Sequence, residues 1–122
     1  MRICVLLLIS ALATLACASR PGMVASGQPC VRVRYVTGIC LEAVLQIRDP
    51  DYYHLGEQWK DHDHVFRATV PCGSEALLES GKDFYVVLLS KPEEEPPCIR
   101  CRAALDYSGE KSYPVRLFKR CP

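Results

Sequence analysis

Imidazole and carboxylate side chains are concentrated in one polar stretch, residues 49–64. It holds all three histidines of the chain, and it contains the run Asp61-His62-Asp63-His64. Both groups are common ligands of zinc and copper. In an extended segment, however, the two histidines of this run would share one face and the aspartates the other. No third or fourth ligand on a rigid element is evident, so we expect a solvated loop with no metal and no cofactor.

A second chemical motif is the C-x-x-C sequence formed by Cys98 and Cys101. Such a pair acts in redox catalysis when it opens a helix in a βαβ unit, and it binds zinc when a second pair is present. The sequence has neither setting. We therefore expect the two cysteines to belong to different structural disulfides, whereas a bond between them would favour the redox interpretation.

The first eighteen residues have the features of a secretory signal peptide. Arg2 gives a positive start, residues 5–15 are apolar, and Ala16-Cys17-Ala18 forms an A-x-A cleavage site. A bacterial lipoprotein acylated at Cys17 is the alternative, but Leu15 stands where a smaller residue is usual. No later segment is long and apolar enough to span a membrane. We predict a secreted, extracellular protein that begins at Ser19.

Removal of the leader defines the composition of the remaining chain. Of the 15 Lys and Arg residues only Arg2 is lost, so fourteen remain against 14 Asp and Glu. This balance argues against nucleic acid or an anionic membrane as the main partner. Of the 8 cysteines, six remain, which predicts three disulfides in an exported chain: Cys30, Cys40, Cys72, Cys98, Cys101 and Cys121. We expect a loose arm over residues 19–29 and a single domain over residues 30–122.

The hydrophobic pattern predicts a mostly β domain. Residues 31–36 alternate apolar and basic side chains, and residues 39–47 are again strand-compatible after a kink or turn at Thr37-Gly38. Residues 65–70 and 83–89 predict two further strands, and the second is apolar enough for a central strand covered on both faces.

The last quarter of the chain predicts one more strand. In residues 112–120 the alternation places Tyr113, Val115 and Leu117 inward and the basic side chains outward. Residues 102–107 could form a strand or a short helical turn, and residues 108–111 have the composition of a hairpin turn.

Two loops hold the candidate binding residues. The polar stretch 49–64 is predicted to be an exposed loop between strands, in which Tyr52, Tyr53 and Trp59 could be binding anchors or could fold back over an open barrel end. Both interpretations stay open. The second loop is acidic and proline-rich, and its charges, Glu93, Glu94 and Glu95, most simply form a solvated surface.

The sequence offers no catalytic motif. It has no G-x-S-x-G elbow, no H-E-x-x-H helix and no phosphate-binding loop, and its mature cysteines are better assigned to disulfides. A non-catalytic binding domain is therefore the leading hypothesis. A heparin-like polyanion would need a denser basic patch than the scattered charges of the last quarter provide; these are Arg100, Arg102, Lys111, Arg116, Lys119 and Arg120.

The middle of the chain resembles netrin-like domains. The segment FRATVPCGSEALLESGKDFYVV, residues 66–87, is similar to the part of that family in which a Cys follows a strand and a Leu-containing stretch leads through Gly-Lys to a core strand. It looks closest to the C-terminal domains of complement components three, four and five. The resemblance implies an OB-like five-stranded β-barrel with short flanking helices, stabilised by disulfides. It also implies that Cys30 is bonded to Cys72 or to Cys121.

The resemblance implies a secreted module that binds extracellular proteins. The same family includes the tissue inhibitors of metalloproteinases, whose mature chains begin with Cys-x-Cys and chelate the protease zinc. Here Cys30 follows a predicted arm, and the next cysteine is Cys40, so that mechanism is doubtful. The alternatives are a protease inhibitor and a structural protein of the extracellular matrix; a cystatin-like inhibitor lacks its Gln-x-Val-x-Gly hairpin.

Overall fold

The protein is described by a computed structural model that covers residues 28–94, 98, 101 and 103–122. The predicted signal peptide, most of the predicted arm, Glu95, Arg100 and Arg102 lie outside the described residues. The elements, in chain order, are β1 (Cys30–Ile39), β2 (Glu42–Ile47), a 3-10 helix (Pro50–Leu55), β3 (Glu57–Trp59), β4 (His62–Thr69), α1 (Glu75–Leu78), β5 (Phe84–Leu88) and β6 (Ser112–Phe118).

Five of the strands close into a barrel. β1 is antiparallel to β2 and to β5, β2 is antiparallel to β4, and β5 is antiparallel to β6. The parallel pairing of β4 with β6 closes the ring. The order β1-β2-β4-β6-β5 with its short helices confirms the predicted OB-like, five-stranded barrel. Closure leaves these five strands without a free edge.

The barrel core follows from the alternation of side chains along the strands. Val31 and Val33 of β1 point inward, while Arg32 and Arg34 between and beyond them are exposed. Apolar side chains of the other four strands meet them inside; the largest of these that are fully buried are Leu45, Ile47, Phe66, Phe84 and Val86. Each such side chain contributes about 1.5–3 kcal/mol by leaving water.

A second apolar cluster lies outside the barrel, on the outer face of β2 and β4. Val44 and Val65 point away from the barrel interior yet are fully buried, because Trp59 of β3 and Tyr107 cover them. β3 pairs with β4 and adds a sixth strand to the sheet. This layer explains why both faces of β2 and β4 carry apolar residues.

Three disulfides tie the chain together, and their partners are Cys30 with Cys121, Cys40 with Cys101, and Cys72 with Cys98. The predicted pairing of all six cysteines is confirmed. Of the two partners considered for Cys30, the structure has Cys121. Cys98 and Cys101 bind different partners, as expected for structural half-cystines.

The structure corrects three local predictions. The stretch 49–64 is not a simple loop, because it contains the 3-10 helix, β3 and the start of β4. The helix begins where Pro50 fits the first helical position and the Asp49 carboxylate accepts the N–H of Asp51 at 3.2 Å. Residues 103–111 form neither a strand nor a helix, so no hairpin precedes β6.

Among the described residues, no helix has the length and hydropathy to cross a membrane.

Candidate functional site

Trp59 is largely buried. The residue is 7% exposed, and its ring packs at 5.3 Å, centroid to centroid, from the Tyr107 ring in the second apolar cluster. The Lys60 ammonium lies 4.5 Å from the Trp59 ring centre and adds a cation–π contact. Trp59 therefore folds back against the protein, but over the outer face of β2 and β4 and not over an open barrel end as the sequence suggested.

The tyrosine pair is half-buried. Tyr52 and Tyr53 pack against the barrel core from the 3-10 helix. The Tyr53 ring also stacks on the His64 imidazole, with 3.6 Å between centroids and 2° between planes. These contacts leave only part of each ring for a partner, and a binding role for the pair stays a prediction.

The histidines of the run Asp61-His62-Asp63-His64 pack against aromatic rings. His62 lies beside Trp59 and His64 under Tyr53, so both imidazoles contact aromatic rings. His64 has a backbone φ of 58°, which departs from the extended conformation assumed for the run. Within the described residues, no group of three or more His, Cys, Asp or Glu side chains could hold a metal ion.

The acidic loop is tied to the last strand through one residue. The Glu93 carboxylate accepts a hydrogen bond from the Arg116 guanidinium of β6, and both Glu93 and Glu94 are exposed. Glu95 lies outside the described residues. Because Arg116 is engaged by Glu93, it contributes less free positive charge to a basic surface.

A cleft lies between the β1–β2 turn and α1, with a volume of about 240 Å³. Its apolar side chains include Ile39, which is 41% exposed and is the exposed large hydrophobic side chain of the described part of the chain. Tyr35 and Leu78 extend this apolar surface. Three carboxylates, Glu42, Glu75 and Glu79, line the same cleft.

Local geometry holds the walls of this cleft in place. The turn residues Cys40 and Leu41 both have positive φ, 54° and 67°, which suits a tight two-residue hairpin. The disulfide from Cys40 to Cys101 fixes the tip of that hairpin. On the opposite wall, the Ser74 hydroxyl donates to the Pro71 carbonyl oxygen at 2.5 Å and stabilises the entry to α1. Both walls of the cleft are therefore held by contacts within the chain.

A basic cluster lies on the outer face of β1 and β2. The carboxylate of Asp83 lies 2.7 Å from Nε of Arg34, 4.0 Å from Nε of Arg32 and 3.9 Å from Nε of Arg48. One negative charge is thus shared by three positive charges. The remaining positive charge faces solvent.

The half-buried carboxylate of Glu57 holds the segment before β6 in place. Glu57 accepts the Tyr107 hydroxyl at 2.5 Å, the Glu110 N–H at 3.1 Å and the Lys111 N–H at 2.6 Å. Partial burial alone would raise the pKa of Glu57. The three hydrogen bonds and the positive charge of Lys111 stabilise the ionised carboxylate more strongly, so the net effect is a pKa below the ordinary value of 4.5. Burial, together with the hydrogen bond to Glu57, raises the pKa of Tyr107.

Cys30, which would carry the free amine in a tissue-inhibitor mechanism, is held at the start of the barrel. It is the first residue of β1, lies opposite Val87 of β5, is bonded to Cys121 and is 6% exposed. A terminal amine at this residue would lie within the paired sheet. The metalloproteinase-inhibitor mechanism therefore gains no support from the position of Cys30.

Comparison of the chain with protein-family models, with curated proteins and with solved structures finds no match. The netrin-like resemblance accordingly stays a prediction from the residues of the chain.

Sequence reasoning missed both surfaces that the structure assembles. The cleft joins residues 35–42 to residues 70–79, and the arginine cluster joins β1, the end of β2 and the residue before β5. The alternation of Arg32 and Arg34 in the sequence was the one available signal, since it places both on one face of a strand. Nothing in the pattern indicated that Arg48 would join them.

Proposed function

We propose that this chain is a secreted, non-enzymatic module of the netrin-like type that binds a segment of an extracellular protein in the cleft between the β1–β2 turn and α1. The observation that carries the proposal is the exposed Ile39 beside this preformed cleft. An exposed apolar side chain at the edge of a concave surface is a common feature of binding sites.

The charges of the cleft define the chemistry of the partner. Glu42, Glu75 and Glu79 surround an apolar surface formed by Ile39 and Leu78. Complementarity requires a partner segment that carries Lys or Arg next to an apolar side chain. Oppositely charged groups at the rim would guide encounter, and the apolar contact would supply affinity.

The proposal is tested by photo-crosslinking from the cleft. A photoreactive amino acid at position 39 of the secreted, disulfide-bonded protein is expected to capture a basic protein from extracellular matrix extract, and the same group at Ser90 is the control. The captured protein is then purified and its Kd measured. We expect Ile39→Asp to weaken binding by about tenfold or more.

Two outcomes would contradict the proposal. One is the absence of any partner specific to position 39 at micromolar protein concentration. The other is a purified partner that binds the Ile39→Asp variant as tightly as the wild type. Inhibition of a metalloproteinase or a cysteine protease, lost in the same variant, would instead assign the cleft to a protease inhibitor.

A further inference from the structure

The outer face of β1 gathers three arginines from separate parts of the sequence. Arg32 and Arg34 are two residues apart in a strand, so both point outward and lie about 7 Å apart along β1. Arg48 follows β2 directly, and its N–H donates to the Arg32 carbonyl oxygen at 2.9 Å. The Arg32 guanidinium in turn donates to the Arg48 carbonyl oxygen at 3.1 Å. These bonds hold the two side chains side by side.

Asp83 orients the cluster without neutralising it. It accepts the Arg34 Nε–H at 2.7 Å and lies within 4.0 Å of the other two guanidiniums. One carboxylate against three guanidiniums leaves a net charge of about +2 on this face. The side chains of Arg32, Arg34 and Arg48 are 48%, 48% and 39% exposed, so their remaining N–H donors are open to a ligand.

The basic surface continues into a groove. Arg34 and Lys82 line a groove of about 300 Å³ together with the apolar side chains of Tyr35 and Leu78. One carboxylate, Glu79, also lines it. On the other side, Tyr85 of β5 lies opposite Arg32 and is half-buried, so an aromatic ring stands next to the guanidiniums.

We infer that this surface, formed by Arg32, Arg34, Arg48 and Lys82, binds a sulfated polysaccharide. Guanidinium groups donate paired hydrogen bonds to planar or tetrahedral anionic oxygens, and an aromatic ring offers an apolar face to a sugar. The three disulfides place the chain in an oxidising compartment. Sulfated polysaccharides are the polyanions typical of extracellular surfaces, which favours them over nucleic acid.

The size of the surface sets the expected strength and salt dependence. Arg32, Arg34 and Arg48 span two residues along a strand and one strand spacing across it, an area of about 7 by 5 Å. Such an area can hold one or two anionic groups of a ligand. Binding to so few charges releases few counterions and falls as salt screens them. We expect retention on heparin that is lost on raising the salt.

The test compares the secreted full chain with two triple variants on immobilised heparin. Arg32→Gln, Arg34→Gln and Arg48→Gln together are expected to weaken the Kd for heparin by about tenfold at 0.15 M salt. The matched control removes the same charge at exposed lysines on other loops, through Lys60→Gln, Lys91→Gln and Lys111→Gln. It is expected to bind like the wild type. Equal loss in both variants, or no retention of the wild type, would overturn the inference.

Two further measurements guard against misfolding and against a general affinity for polyanions. Asp83→Asn removes one negative charge and keeps all three arginines, so we expect later elution from heparin; earlier elution would count against the site. Single-stranded DNA of matched charge should compete poorly with heparin. Equal competition by DNA would refute the assignment to a sulfated polysaccharide.

Discussion

At the scale of single residues, Glu57 shows how one carboxylate can replace missing secondary structure. Residues 103–111 form no helix or strand, so their backbone N–H groups need other acceptors. Glu57 accepts two of them, from Glu110 and Lys111, and also the Tyr107 hydroxyl. It therefore sets the start of β6 and helps to hold Tyr107 over the outer cluster.

We predict that Glu57→Gln lowers the free energy of unfolding by about 1 kcal/mol at neutral pH, because an amide accepts fewer of these bonds and solvent screens the half-buried site. The measurement is urea unfolding followed by the fluorescence of Trp59, the only tryptophan. Glu94→Gln, which removes an exposed carboxylate, is the control and should change little.

The same variant has a predicted pH dependence. The pKa of Glu57 is lower in the folded protein than its ordinary value of 4.5. The stability that its ionised form contributes is therefore complete above pH 4.5 and is lost as the pH falls through the folded pKa. The gap between wild type and Glu57→Gln should narrow below pH 4.5. A gap that stays constant into acid would contradict the role assigned to this charge.

At the scale of elements, β3 depends on close backbone contact with β4. A Cβ atom placed on Gly56 would lie 2.6 Å from the His64 carbonyl carbon and 2.9 Å from its Cα. Backbone atoms at that distance cannot move aside as a flexible side chain could. Gly56 thus permits β3 to lie against β4 and to carry Trp59 over the outer cluster.

We predict that Gly56→Ala lowers the free energy of unfolding by about 1–3 kcal/mol, because the strand must shift to relieve the overlap. Hydrogen exchange should show that the variant loses more protection, relative to the wild type, in β3 and β4 than in β1 and β5. Ser90→Ala on an exposed loop provides the reference and should stay within about 0.5 kcal/mol of wild type. Unchanged protection across β3 would show that the backbone tolerates the added methyl group.

At the scale of the whole molecule, the disulfides differ in the length of chain that they close. Cys30 and Cys121 are 91 residues apart and connect the first strand to the end of the chain, whereas Cys72 and Cys98 are 26 apart. A longer closed loop removes more conformational entropy from the unfolded chain.

We predict that replacing Cys30 and Cys121 by Ala costs about 4.6 kcal/mol, against about 3.5 kcal/mol for the Cys72 and Cys98 pair. The Cys30 pair should therefore give the larger drop in Tm under non-reducing conditions. Burial of Cys30 acts in the same direction, since its replacement also disturbs the end of the core. The reverse order would show that native-state strain dominates loop entropy in this domain.

The cleft and the arginine surface belong to this largest scale as well. Each combines residues that are tens of positions apart, and each depends on barrel closure to bring them together. The cleft variants and the arginine variants are therefore expected to change binding with little effect on Tm, since their side chains lie largely outside the core.

Much of the barrel was predictable from the sequence. Alternation in residues 31–36 and 112–120 and the apolar run in residues 83–89 located β1, β6 and β5, because side-chain period and burial follow directly from strand geometry. The even number of cysteines likewise predicted three disulfides. β3 was missed because three residues are too few to show a period.

Tertiary structure alone decided the surroundings of the loop residues. Whether Trp59 covers the barrel or faces a partner depends on Val44, Val65 and Tyr107, which no local pattern connects to it. The same holds for the choice of Cys121 as partner of Cys30, and for the meeting of Arg48 with Asp83. The periodicity of a strand is a local property, whereas a side chain's neighbours are set by the register and closure of strands that are distant in sequence.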